Sequence, residues 1–598
     1  MTWAPANCSG SCTSQVLNFF TFLVQYLGFS YDSKFTSTKT DGKESGLRDE
    51  FDFIVVGAGS AGCVVANRLS EIEQWKVLLL ESGDEEPAVT GVPGLWPVLR
   101  SSSLDYGYYT EPEHAICAAA ANKSCHVFRG KVMGGTSALN DMIYARGNKQ
   151  DYDDWENLGN AGWGFEDVLP YFKKSEDAKD PLLLAKNPDS HGTGGYLTTE
   201  QFPYKNKNGR AIIDAWKELG LEEVDYNSGS QVGVSNLQFN SVHGSRLSTN
   251  GAFIRPIRGR RSNLVVRPNS RVTRVMINRY SKRVTGVEYF CSKTSTLKMV
   301  YAKKEVIISA GAFDSPKLLM LSGVGPAEHL REAGIWVVKN SPVGRNLHEH
   351  TVIVPFTFDL KKESRTTSSF DDMRNDLVYW MSSHEGVLSS TGLQSTVAFL
   401  QTSFESRPGV PDIQVGFAGS STSSDSASIA TSYYDKAVIF LVLLKPHSRG
   451  QLRLNVSDPL WSQPLIRLNS MTDPRDSEIL VEGVKLASKV TRTKSLKQKG
   501  FIRTKPAMCQ EYEVDSREYF ECFVKRYTFT SYHPVGTCKM GPKRDKDAVV
   551  DPRLRVYGVT GLRVIDASIM PETTRGSINA PIIMIGEKGS DMIKEDWL

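Results

Sequence analysis

The strongest constraint on the fold of this chain is local. In FDFIVVGAGSAGCVVANRL an apolar run, Phe51 to Val56, leads directly into Gly57, Gly59 and Gly62, spaced as G-x-G-x-x-G. Apart from Asp52 the run is apolar rather than alternating, which suits a strand buried on both faces of a parallel sheet. Ser60 to Leu69 continue as a helix, and a second apolar run, KVLLLE, ends on Glu81. Each glycine then has a physical reason: Gly57 permits the tight turn, Gly59 lets backbone approach a pyrophosphate, and Gly62 lets helix pack on strand. Ser60 and Ala61 open a helix whose free N–H groups and positive dipole end suit a diphosphate. Glu81 stands about twenty residues on, where a carboxylate accepts hydrogen bonds from an adenosine ribose. The unit predicts dinucleotide binding and does not by itself choose between FAD and NAD.

A chain of 598 residues exceeds what one core spans, so two or more domains are expected. Its 40% hydrophobic and 23% charged residues belong to an ordinary globular protein, and the formal net charge is only +4. The densest basic stretch, Arg255 to Arg261, has no interleaved aromatics, which argues against a nucleic-acid partner. Among the nine cysteines, Cys117 with Cys125 and Cys509 with Cys522 are spaced for local disulfides. Neither pair has a zinc spacing and no H-E-x-x-H occurs, so no metal site is expected. Sequons at Asn7, Asn122 and Asn455 are compatible with glycosylation, Asn122 within the loop that Cys117 and Cys125 would close.

Val16 to Phe29 form an apolar run of fourteen residues. A membrane span needs about twenty, so no span is predicted. The length fits a signal-peptide core, but no Lys or Arg precedes Lys34. The two readings are a secreted, extracellular protein and an intracellular one whose N-terminal helix docks on the body. Ser33 to Arg48 read as a polar linker.

Further along, RGKVMGGTSALNDMIYARG, from Arg129 to Gly147, suits either a loop lying against a planar ligand or its phosphates, or a close backbone crossing. Asn263 to Val287 predict a strand, a turn at Tyr280 to Arg283 and a returning strand. EVIISAGAFDSPKLLMLSGVGP predicts a strand over Val306 to Ser309, a turn at Gly311, and a helix with Ser315 as N-cap and Pro316 at its first position, ending at Gly323. Between about 350 and 530, runs at 352–358, 437–444 and 451–456 suggest a largely antiparallel sheet, with a polar loop from Gly419 to Ser428 and a helix from Asp476 to Arg492. LRVIDASIMP then predicts a strand ending at Asp566, followed by a final helix.

Four ordered blocks together resemble the glucose-methanol-choline (GMC) oxidoreductase family, particularly its insect glucose-dehydrogenase-like branch. They are the GAGSAG unit, GKVMGGTSALNDMIYARGN, GAFDSPKLLMLSGVGP, and the C-terminal HPVGTCKMG with LRVIDASIMP and NAPIIMIGEKGSDMI. The likeness extends from about residue 50 to the end. It implies a discontinuous Rossmann-like α/β FAD domain (50–345 and 530–598) and an α+β substrate domain with a largely antiparallel sheet (346–529), after a leader at 1–49. It implies FAD rather than NAD, with Val272 at the adenine, Val132, Gly134, Gly135 and Asn140 around the flavin and diphosphate, and Asp566 beside the diphosphate or ribityl region. Some members attach flavin through a histidine where this chain has Leu139, so non-covalent FAD is expected.

The family's catalytic pair maps onto His533 and Asn579. Oxidising an alcohol removes a proton from oxygen and a hydride from carbon. Flavin takes the hydride, an imidazole suits the proton, and the Asn579 amide can hold the substrate oxygen. The expected substrate is a sugar or other small alcohol, with electrons passing to a quinone-type acceptor. The alternatives are an oxidase using oxygen, a hydroxynitrile-lyase-like activity and a non-catalytic flavin-binding homologue. Cys538 reads as a packing residue, and His348 and His350 as structural or cofactor-adjacent.

Overall fold

The computed structural model describes residues 3–4, 14–29, 49–118, 120–421, 430–504 and 509–598. The sequon at Asn7, the linker from Ser33 to Arg48 and most of the loop from Gly419 to Ser428 lie outside the described residues.

The first core is built on the predicted strand Glu50–Val56. It pairs in parallel with Val77–Leu80 on one side and Thr296–Ile308 on the other, and Leu264–Arg267 and Leu562–Val564 extend the parallel part. The register aligns strand ends: Val56 lies opposite both Leu80 and Ile308, and Ile308 opposite Val564. Gly57, Glu81, Ser309 and Asp566 therefore emerge along one edge. This is the carboxyl edge of a parallel sheet, where ligands of such folds bind. Ser60–Leu69 forms as predicted, and Asn579–Trp597 packs beside it through Val64 and Gly586, with Arg68 donating to Glu587 from Nε at 2.7 Å and Nη2 at 2.8 Å.

The second sheet runs Phe501–Arg503, Thr351–Leu360, Lys436–Leu443, Ile413–Ser420, Thr396–Leu400 and Gly233–Asn236, with Thr528–Thr530 also on Thr351–Leu360. Every pairing in it is antiparallel. Helix Pro474–Ser488, continued to Arg492 as a tighter turn, buries Ile479, Leu480 and Val484 against this sheet.

Several sequence expectations need correction. Gly233–Asn236 lies within the stretch expected to serve the cofactor, yet it pairs with Thr396–Leu400 in the antiparallel sheet. Conversely, the run expected at 451–456 is a strand only over Gln451–Arg453; it pairs with Leu465–Arg467 and buries Leu452, Leu454 and Ile466 in the first core. The Asn263 to Val287 stretch holds Leu264–Arg267 before the expected hairpin of Ser270–Ile277 and Val284–Cys291. Ser315 and Pro316 do not open their helix, which begins at Gly311. Proline inside a helix leaves the carbonyl four residues back without its donor. Here that carbonyl, Ala312 O, accepts from Thr537 Oγ1 at 2.6 Å.

The N-terminal apolar run is a helix, Ser14–Leu27, with Phe19, Leu23 and Leu27 buried against Val89, Leu95 and Leu377. Among the described residues no helix is long and apolar enough to cross a membrane. Cys117–Cys125 and Cys509–Cys522 are both disulfides, and Asn122 is exposed in the loop that the first one closes.

Candidate active site

One cavity of about 570 Å³ runs from the glycine turn to the antiparallel sheet. Its wall includes Glu81, Arg271, Val272 and Asp314, the turn residues Gly57, Gly59, Ser60, Ala61 and Gly135, and Asn140, Val352, Phe440, His533 and Asn579.

The glycines act as their spacing predicts. Gly57 sits at φ +100°, and a Cβ there would meet Ser309 O at 2.5 Å; a Cβ on Gly62 would meet Gly57 O at 1.8 Å. At Gly59 the nearest atom to such a Cβ is Gly135 Cα at 4.0 Å, so this backbone faces open space. No side chain caps helix Ser60–Leu69, which leaves its first N–H groups for a ligand. Helix Asn579–Trp597 is likewise without a side-chain cap. Ser309 Oγ, also on the cavity wall, is buried with no partner. A glycine cradle, two open helix starts and an orphaned hydroxyl on the wall of one cavity fit a dinucleotide.

Three expected cofactor residues are not on the wall. Gly62 is the packing glycine. Gly134, at φ +92°, donates its N–H to Ala58 O at 2.8 Å, and Val132 is fully buried with its carbonyl accepting from Gly135 N at 2.8 Å. They shape the loop rather than touch the cavity. Glu81 reaches the cavity, but its oxygens already accept from Ala58 N at 2.8 Å and Gly83 N at 2.9 Å; burial pushes its carboxyl up to about 7. Asp566 accepts from Gly311 N, Ser315 Oγ and both the N–H and hydroxyl of Ser568, tying two turns together. Asn140 Oδ1 accepts from Met142 N and from Arg246 Nη1.

His533 is placed by an irregular strand pairing. Thr351 pairs with Thr530, and His348 with Val535, so three steps on one strand face five on the other. The two extra residues form a bulge, with Tyr532 in the left-handed region at φ +63°. Bulges re-aim side chains at functional edges. This one turns His533 to the cavity with its Nδ1 2.9 Å from Nδ1 of His350. Burial, His350, Arg129 and Arg100 together hold the His533 imidazole well below its ordinary pKa, so it is neutral at physiological pH. Asn579 reaches the cavity from the start of its helix, and its Oδ1 accepts from Ser60 Oγ at 2.7 Å. No partner is present for its amide nitrogen among the described residues, which leaves that donor for a ligand.

Sequence reasoning missed the pairing of His350 with His533 and the aromatic wall around Arg100, whose guanidinium lies 3.9 Å from the Trp96 ring, 4.5 Å from Phe128 and 4.8 Å from Tyr532. It also missed Ser577, which lines the cavity two residues before Asn579. None of these has a local signature; a preference for loop residues near a cofactor was the only available signal. Cys538 is fully buried, as expected of a packing residue. Among the described residues no cluster suited to a metal occurs.

This architecture and site define a two-sheet dinucleotide-dependent oxidoreductase. The N-terminal GMC oxidoreductase profile matches residues 51–352 and the C-terminal one residues 446–586, and the chain belongs to this family. It is 41% identical over 561 residues to glucose dehydrogenase [FAD, quinone] of Drosophila melanogaster, covering 92% of this chain and 87% of that protein. It is 36% identical over 554 residues to oxygen-dependent choline dehydrogenase of Sinorhizobium fredii, covering 91% and 95% respectively. Among solved structures, pyridoxine 4-oxidase from Mesorbium loti superposes with a TM-score of 0.76 at 30% identity, covering 90% of this chain and 98% of that one.

Proposed function

We propose that this chain uses non-covalent FAD to oxidise the CH–OH group of a sugar or other small alcohol, with His533 as the base. The observation that carries this reading is a neutral imidazole on the wall of the cavity that also contains the glycine cradle. The diphosphate would lie on Gly59 to Ala61 and Gly135, and the adenosine end near Glu81 and Val272. Bound flavin supplies the hydride acceptor. His533 Nδ1 is engaged by His350, so Nε2 is the atom that takes the hydroxyl proton. The free Asn579 amide N–H groups orient the substrate oxygen, and Val352 and Phe440 keep water from the site.

The division into 50–345 with 530–598 for the cofactor and 346–529 for the substrate is retained, with Gly233–Asn236 and the 451–467 ribbon exchanged between them. Likeness to the Drosophila enzyme, by its name, supports a quinone-type acceptor. The two disulfides suit an oxidising compartment and hence secretion.

Anaerobic bleaching of the flavin across an alcohol panel that includes glucose and choline tests the reading. Bleaching by one alcohol class, followed by reoxidation with a quinone faster than with air, is expected. Absence of bleaching by every alcohol removes the redox reading, and peroxide formed at the turnover rate makes the protein an oxidase.

A further inference from the structure

The engagement of His533 Nδ1 by His350 leaves open which ring carries the shared proton, and the His350 ring is fully buried against the proposed base: Nδ1 to Nδ1 is 2.9 Å, with ring centroids 5.1 Å apart and planes at 87°. Two neutral imidazoles meeting Nδ1 to Nδ1 share one proton, so one ring donates and the other accepts. If His350 donates, His533 keeps its own proton on Nε2 and presents a donor to the cavity. A base needs the reverse: the proton on His533 Nδ1, a lone pair on His350 Nδ1, and the His350 proton on Nε2. The atom that meets His350 Nε2 is Thr573 Oγ1 at 3.2 Å.

We propose that His350 and Thr573 are positioning residues that fix the tautomer of His533. Thr573 Oγ1 accepts from His350 Nε2, His350 Nδ1 accepts from His533 Nδ1, and Nε2 of His533 is left bare toward the cavity. The proposal rests on the reading of His533 as base. The neighbouring histidine shows how this segment is wired. His348 Nδ1 lies 2.7 Å from Asn346 O, which can only accept, so His348 donates there and its Nε2 accepts from Thr573 N at 3.0 Å. The Thr573 amide thus serves His348, and its hydroxyl serves His350. The carbonyls of Leu444 and Thr574 also face the His350 ring, which adds acceptors around it. The charged groups facing the pair are Arg100 and Arg129 on the His533 side and Asp151 and Lys445 on the His350 side. When Nε2 takes the substrate proton, the resulting imidazolium keeps its Nδ1–H on His350, an orienting role that a buried acceptor fills in other base-orienter pairs.

Imidazole ¹⁵N spectra of the FAD-loaded protein with labelled histidine read the tautomers directly. His533 is expected to carry its proton on Nδ1 and His350 on Nε2. Thr573→Val should slow anaerobic flavin reduction about tenfold, the loss of one hydrogen bond, with KM and FAD content unchanged. Thr573→Ser should restore most of the rate. His350→Phe should cost about a hundredfold, and His350→Asn, which returns an oxygen near the lost Nδ1, should recover part. A proton on Nε2 of His533, or wild-type flavin reduction and pH profile in Thr573→Val, overturns the proposal. The spectra need no turnover, so failure of the base reading, seen as an active His533→Ala, is distinguishable from failure of the tautomer assignment.

Discussion

Ser60 Oγ donates to the carboxamide oxygen of Asn579 at 2.7 Å, joining the first turns of two helices 519 residues apart in sequence. The same helices are joined further along by the buried pair of Arg68 and Glu587. The contact sets the rotation of the Asn579 side chain, because an amide whose oxygen is held must turn its nitrogen the other way. Ser60→Ala should therefore weaken FAD binding and slow flavin reduction together, each by about 1 kcal/mol, or roughly fivefold. Fluorescence of released FAD and stopped-flow reduction measure the two; no change in either would show that the bond does not orient the amide.

His533→Ala should lower turnover by about 10² to 10⁴ while FAD stays bound. The pH profile is a sharper test. Because the imidazole of His533 is held well below its ordinary value, chiefly by burial and then by His350 and the two arginines, the neutral base persists as pH falls through 6.5. kcat/KM should be flat from neutral pH to below 6 and fall only at lower pH. An acidic limb centred near 6.5 would mean an exposed histidine, not this one.

Gly59 and Gly62 should fail differently. Alanine at Gly62 places its Cβ 1.8 Å from Gly57 O, a backbone atom that cannot move aside cheaply, so about 3 kcal/mol or more of stability should be lost. Gly59 has φ −86°, which any residue adopts, and its added Cβ meets nothing closer than 4.0 Å. Gly59→Ala should melt like the wild-type apoprotein and bind FAD poorly. Equal melting losses in both variants would contradict the assignment of Gly59 to the cofactor.

Glu349 is buried, and burial pushes its carboxyl up to about 7. A folded value above the unfolded one means that ionising this group costs stability, fully above pH 7 and not at all below about 4.5. Glu349→Gln removes that cost, on the order of 3 kcal/mol. The melting temperature of the variant relative to wild type should rise from pH 5 to pH 8; a difference independent of pH would show that the carboxyl is not held neutral.

Leu139 is fully buried among Val89, Leu95 and Leu99 and offers no nucleophile to a flavin. Acid precipitation should leave the yellow chromophore in the supernatant. Colour retained in the pellet would show covalent attachment elsewhere.

The sequence alone determined the strand, turn and helix around Gly57 to Gly62, the helix from Asn579, the antiparallel character of the second sheet and both disulfide pairs. These depend on steric needs and apolar periods that act over a few residues, so short windows carry them. Tertiary structure decided that Gly233–Asn236 joins the second sheet, that Pro316 sits inside a helix because Thr537 satisfies the carbonyl it strands, and that His533 faces His350 across 183 residues. Each depends on which distant segment supplies a partner. That choice is made by packing and register, and no local pattern records it.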